Sequence, residues 1–110
     1  MDRQELLAAR VALTPGDRAA LGELIRASVR AFATLVPGHS VELRVPPFIA
    51  VQCVEGPRHT RGTPPNVVEV DAQTWLDLAL GELNWADGVV DGRISAYGPR
   101  SDLSGFLPLP

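Results

Sequence analysis

The chain contains no lysine: its ten basic residues are all arginine, and against thirteen acids they leave a formal net charge of −3. That balance opposes nonspecific attraction to nucleic acid or to an anionic membrane, so neither is an expected partner. Cysteine occurs once, at Cys53, which excludes an internal disulfide. His39 and His59 are the only histidines, so no zinc cluster of the usual Cys/His spacing can be assembled and no metal is expected. No apolar run approaches the roughly 18–20 consecutive residues that span a bilayer, so no stable membrane insertion is expected. The opening MDRQELLAAR mixes acids with bases and lacks the apolar stretch of about 7–15 residues of a secretory signal, which predicts a cytoplasmic protein. There is no G-x-S-x-G, P-loop, G-x-G-x-x-G or H-E-x-x-H, so no catalytic residue or cofactor is nominated and no enzymatic activity is expected.

What is present fits a globular chain. The apolar fraction is 45% and the charged fraction 21%, close to globular averages. The length predicts one domain over 1–110, with helices in 1–36 and a sheet, crossover helices and a tail in 40–110. Leu6, Leu7, Val11 and Leu13 predict a short first helix. Thr14-Pro15-Gly16-Asp17 predicts a restart, with Thr14 as N-cap and Pro15 in the first helical position. Leu21, Leu24, Ile25, Ser28, Phe32, Leu35 and Val36 then recur at three- and four-residue steps, a helical stripe that ends near Pro37-Gly38.

From Ser40 the period changes to two. Val41, Leu43 and Val45 face one way and Glu42 and Arg44 the other, as in a half-buried or edge strand. Pro46-Pro47 interrupts pairing, and Phe48 to Val54 is apolar on both faces apart from Gln52, which predicts a strand covered above and below. Gly56 to Asn66 holds two Gly and three Pro in eleven residues and is the longest predicted loop, a length that often carries function. Val67, Val68 and Val70 form the next strand. Asp71 caps a helix with apolar positions Trp75, Leu76, Ala79, Leu80 and Leu83, and Asn84 caps a shorter one through Trp85, Val89 and Val90. Gly92 marks its C-terminal end before Arg93–Tyr97 extends as a strand. The tail, Ser101–Pro110, predicts one helical turn opened by Ser101 or Asp102 and broken at Pro108.

The segment RVPPFIAVQCVEGPRHTRGTPPNVVE, followed by DAQTWLDLALGELNWADGVVDGRISAYGPRSDLSGFLPL, resembles the bacterial sterol carrier family, relatives of the sterol carrier protein 2 fold. The resemblance runs from Val41 to Leu109, with HTRGTPPNVVE its most specific block. It implies an α+β fold: a mainly antiparallel sheet of four or five strands with helices packed on one face. Periodicity alone supplies only the order of elements. The resemblance also implies a non-catalytic carrier of a hydrophobic or amphipathic ligand, such as a lipid or fatty acyl chain. A protein–protein interaction or accessory module on the same scaffold is the alternative. The C-terminal domain of thiol-dependent maleylpyruvate isomerases is similar too, but their metal-binding helical domain has no counterpart here.

The candidate ligand-binding residues follow from this. Phe48, Trp75, Leu76, Leu80, Trp85, Val89 and Phe106 are apolar wall candidates that serve equally as core. Arg58, His59 and Arg61 would hold a headgroup through charge-assisted hydrogen bonds; otherwise the two arginines pair with Glu42, Glu55 or Glu69 and His59 is an ordinary loop residue. Arg100 joins them if the ends of the 48–54 and 93–98 strands lie close together. Cys53, in an apolar strand, is expected to behave as a small hydrophobe, and Asp77, Glu82, Asp87 and Asp91 as solvated helix-surface acids. A dry cavity of about 300 Å³ at about 24 cal/mol per Å³ would cost about 7 kcal/mol, comparable with the stability of a typical domain. Any binding space must therefore be filled, wetted or open.

Overall fold

In the computed structural model, which describes residues 1–57 and 65–110, the elements follow the order expected. Two helices, α1 (Arg3–Val11) and α2 (Arg18–Leu35), precede strands β1 (Val41–Val45), β2 (Ile49–Cys53) and β3 (Val67–Val70). Helices α3 (Ala72–Leu80) and α4 (Trp85–Val90) then lead into strand β4 (Ile94–Tyr97) and a single 3-10 turn, Ser104–Phe106.

Short polar side chains start each α-helix by taking up orphan N–H groups. Asp71 accepts from the Thr74 N–H at 2.8 Å, and Asn84 from those of Ala86 and Asp87 at 2.9 and 3.4 Å. α2 starts later than the Thr14-Pro15 pattern predicts. Gly16 has φ +84°, outside helical space, and the Asp17 N–H closes a turn onto the Thr14 carbonyl at 3.1 Å. Asp17 is therefore the cap, accepting from the Ala20 N–H at 3.0 Å. Gly92 takes the positive φ expected of it, +76°. Leu35, assigned to the apolar stripe, is exposed in the last turn of α2, and Val29 is buried instead.

The four strands are ordered β2-β1-β3-β4. β1 pairs antiparallel with β2 and parallel with β3, and β3 pairs antiparallel with β4, so the sheet is mixed. Registers Leu43↔Val51, Leu43↔Val68 and Val68↔Ala96 put one side of every strand on a common face. Val41, Leu43, Val45, Cys53, Val68, Val70 and Ile94 on that face are buried and share one core with the helices. Glu69, Ser95 and Tyr97 on the opposite face are exposed. Among the described residues, helices cover one face only.

The expectation that Phe48–Val54 is a doubly covered interior strand is overturned. The hairpin at Pro46-Pro47 lays β2 beside β1, and the crossover to β3 fills the other side of β1. β2 is thus an edge with Ala50 and Gln52 exposed, and β1 is interior. Phe48 precedes β2 and turns toward α2: a Cβ on Gly22 would lie 2.9 Å from its ring.

At the centre of the core Trp75 is fully buried. Its ring meets Phe32 edge-on at a centroid distance of 5.5 Å, and its Nε1–H donates to Ser28 Oγ at 2.9 Å. Ser28 Oγ in turn lies 2.8 Å from the Leu24 carbonyl, to which it donates. Toward the surface, Asp77 accepts from Arg10 Nη2 at 2.9 Å and from Arg93 Nη2 at 2.6 Å, tying α1 and the start of β4 to α3. Glu82 also pairs with Arg10, at 3.1 Å. These two acids, expected as solvated, are bridged, whereas Asp87 and Asp91 are exposed. The tail docks on α3 and α1, its Leu109 N–H donating to the Ala79 carbonyl at 2.9 Å and its Pro110 carbonyl accepting from Arg3 N–H at 2.6 Å.

Ser28→Ala should leave the indole N–H unsatisfied inside the core and cost about 1–3 kcal/mol. Urea denaturation checks this, and the same substitution made in a Trp75→Phe background should cost much less. Burial opposes ionisation of Asp77, but hydrogen bonds and charge from Arg93 and Arg10 outweigh it and hold the carboxyl below its ordinary 3.8. A depressed carboxylate contributes stability that is complete above the unfolded value and fades as pH falls through the folded one. The gap in melting temperature between the natural protein and Asp77→Asn should therefore be widest at neutral pH and close below 3.8.

Candidate functional site

The end of the sheet from which the 58–64 segment leaves is tied by a buried polar network. Asn66 Nδ2 donates to the Ser40 carbonyl at 2.7 Å, and its Oδ1 accepts from the Arg100 N–H at 2.8 Å. Ser40 Oγ donates to the Val54 carbonyl at 2.7 Å. Val54 has φ +66°, unusual for a β-branched residue, where the chain leaves β2. Gly38 permits the close approach here, since a Cβ on it would collide with the Val54 carbonyl. β2 and β4 lie at opposite edges of the sheet, so their ends are not adjacent as the Arg100 expectation required; the Arg100 side chain nevertheless reaches the segment after β2, its Nη1 3.0 Å from where a Gly56 Cβ would stand. Arg58, His59 and Arg61 lie outside the described residues.

A cleft of about 510 Å³ opens where the C-terminal end of α3, the start of α4 and the tail converge. Leu78, Leu83, Trp85, Leu107 and Pro108 give it an apolar wall, and Asn84, Asp102 and Ser104 are its polar members. Its shape follows from local chemistry. Gly81 ends α3 at φ +77°, letting the chain turn away, and the Pro108 ring sits 3.3 Å from the point where a Gly81 Cβ would stand. Leu103 and Leu109 are buried at 0% and 1% exposure, anchoring the tail on both sides of Leu107 and Pro108. The Asp102 Oδ1 accepts from the Ser104 N–H at 2.9 Å and opens the 3-10 turn. The Ser104 hydroxyl and N–H together hold the Asp102 carboxyl below its ordinary value, so it is ionised at neutral pH. A second depression, about 420 Å³, lies at the α1–α2 turn among Leu13, Pro15 and Leu21, with Arg10 and Arg18 beside them.

The structure separates the wall candidates. Trp85 faces the 510 Å³ cleft. Trp75 and Leu76 are completely buried and Leu80 is 7% exposed, all three within the core cluster. Val89 and Phe106 are exposed, at 45% and 44%. Phe48 lies against α2, with the Arg18 guanidinium 5.4 Å from its ring centroid. Asn66 and Ser40 were not singled out as sheet-end ties, and an Asn immediately before a β-branched run is the only local signal for them. His39 has its Nδ1 2.6 Å from Gln52 Oε1 on the uncovered face.

A small sheet clothed by helices on one face, with a cleft between helix ends and tail, defines a compact α+β protein of the sterol carrier type. Residues 17–109 match the family model described as bacterial SCP ortholog, and the chain belongs to that family. The match takes in α2, upstream of the Val41 start of the sequence resemblance. No curated protein matches the chain.

Burial pushes the Cys53 thiol up to about 11. In the native protein at pH 8 it should resist a chromogenic disulfide reagent, then react stoichiometrically once the chain is unfolded in denaturant. Fast labelling of the native state would contradict its place in the core.

Proposed function

We propose that the protein is a non-catalytic carrier of a hydrophobic or amphipathic ligand, such as a lipid or fatty acyl chain, acting in the cytoplasm as one domain. The observation that carries this reading is the 510 Å³ cleft with its wall of Leu78, Leu83, Trp85, Leu107 and Pro108. Ligand sites usually occupy about 300–1,000 Å³, and here the apolar wall makes up about half of the lining, the rest being polar. Membership of the bacterial SCP ortholog family supports it. Burying an alkyl chain yields about 0.8 kcal/mol per methylene, enough over eight or more carbons to exceed the lower estimates of association cost. Among the described residues no helix is long and apolar enough to cross a membrane.

The alternative is an interaction module that takes no lipid. It draws on the exposed apolar side chains of Val90 and Tyr97, 84% and 58% accessible, beside the edge strand β4. Native mass spectrometry of the purified protein, with titration by displacement of a fluorescent acyl chain, separates the two readings. The carrier reading expects co-purifying lipid or saturable binding, weakened at least about tenfold, or about 1.4 kcal/mol, by Leu107→Glu, with Trp85→Ala as a second probe. No lipid in the spectrum and no saturation below about 100 μM, or about −5.5 kcal/mol, would leave the interaction module standing.

A further inference from the structure

We infer that the ligand of this cleft is an amphiphile with a cationic head, an alkyl ammonium rather than a fatty carboxylate. The inference rests on the carrier reading and deepens it. Asp102 is the one ionisable side chain among the residues that line the cleft. It is accessible to a ligand and sits beside the apolar wall, so a chain lying against Trp85 and Leu107 brings its polar end within reach of a carboxylate. Like charges repel and opposite charges attract most strongly where water is partly displaced.

One further feature of the lining suits a cation: Trp85 is among its residues, and an indole attracts ammonium groups. Neither helix end competes for the head, because the Asp77, Leu78 and Ala79 carbonyls at the end of α3 are taken by the N–H groups of Gly81, Glu82 and Leu109, and the first free N–H groups of α4 by Asn84. Arg3 approaches the Gly81 edge, its Nη1 3.9 Å from the Cβ position there. It is a cation that an anionic head could meet at that edge.

The test is a set of equilibrium titrations at pH 7 with decylamine, decanol and decanoate, each kept below its aggregation limit. Trp85 fluorescence reports binding, and Trp85→Phe identifies its signal against the buried Trp75. Decylamine should bind at least about tenfold more tightly than decanoate, with decanol between them. Asp102→Asn keeps an oxygen for the Ser104 N–H while removing the charge. It should bring the amine-to-carboxylate ratio to within about threefold of unity and leave decanol unchanged. Decanoate binding as tightly as decylamine, or an amine preference that survives Asp102→Asn, overturns the cationic head and leaves the carrier reading intact. Loss of decanoate binding in Arg3→Ala would identify the competing anion partner. Failure of all three probes to bind overturns the carrier reading and this inference together.

Discussion

Trp75 sets the position of almost everything around it. An indole has to be buried whole to deliver its apolar area, yet its N–H needs an acceptor, and in this core Ser28 Oγ is that acceptor. Because Ser28 sits in the middle of α2 and Trp75 in the first half of α3, the hydrogen bond sets the two helices in register and Phe32 closes against the ring. The C-terminal end of α3 is placed by the same contact. The tail is laid against that end through the Ala79 carbonyl, and the cleft forms between them.

The one-sided sheet explains why the space between α3, α4 and the tail is a surface cleft. With helices on a single face, the core is a thin layer between four short strands and the helix bases, filled by Trp75, Phe32, Leu6, Ile25 and their neighbours. An enclosed void of several hundred cubic ångströms there would cancel much of a small domain's stability. A groove walled partly by a docked tail avoids that penalty, because water can occupy it. Trp75 and Leu76 therefore keep to the core, and Trp85, at the start of the next helix, is the tryptophan that meets the cleft.

Much of the fold was legible locally. Asp71, Asn84, Gly92 and the three-and-four spacing of α2 act through groups within one turn of themselves, so their consequences can be read without knowing the rest of the molecule. Misreadings arose where a nearby alternative existed or where a second segment decided. Thr14 and Asp17 both suit a cap, and the left-handed Gly16 selects the later one. The apolar run from Phe48 looked doubly covered because its residues are apolar on both sides, yet Phe48 itself bends to α2 at Gly22 and Ala50 is small enough to face water at an edge. Asp77 looked like a surface acid because Arg10 and Arg93 are distant in sequence.

The sequence by itself determined the order of helices and strands, most of the faces that α2 and α3 bury, the inert setting of Cys53 and the family, because hydrophobic periodicity and capping are short-range properties; Leu7 and Val11 of α1 and Val89 and Val90 of α4, read as apolar-face positions, are exposed. The tertiary structure decided which strand lies at the sheet edge, that β1 and β3 run parallel, and which of two tryptophans lines a cleft. It also brought Asp102 and Leu107 of the tail to Leu83 and Trp85 of the helical segment. Such pairings depend on where buried groups find partners across tens of residues, and chain topology sets that where local pattern cannot.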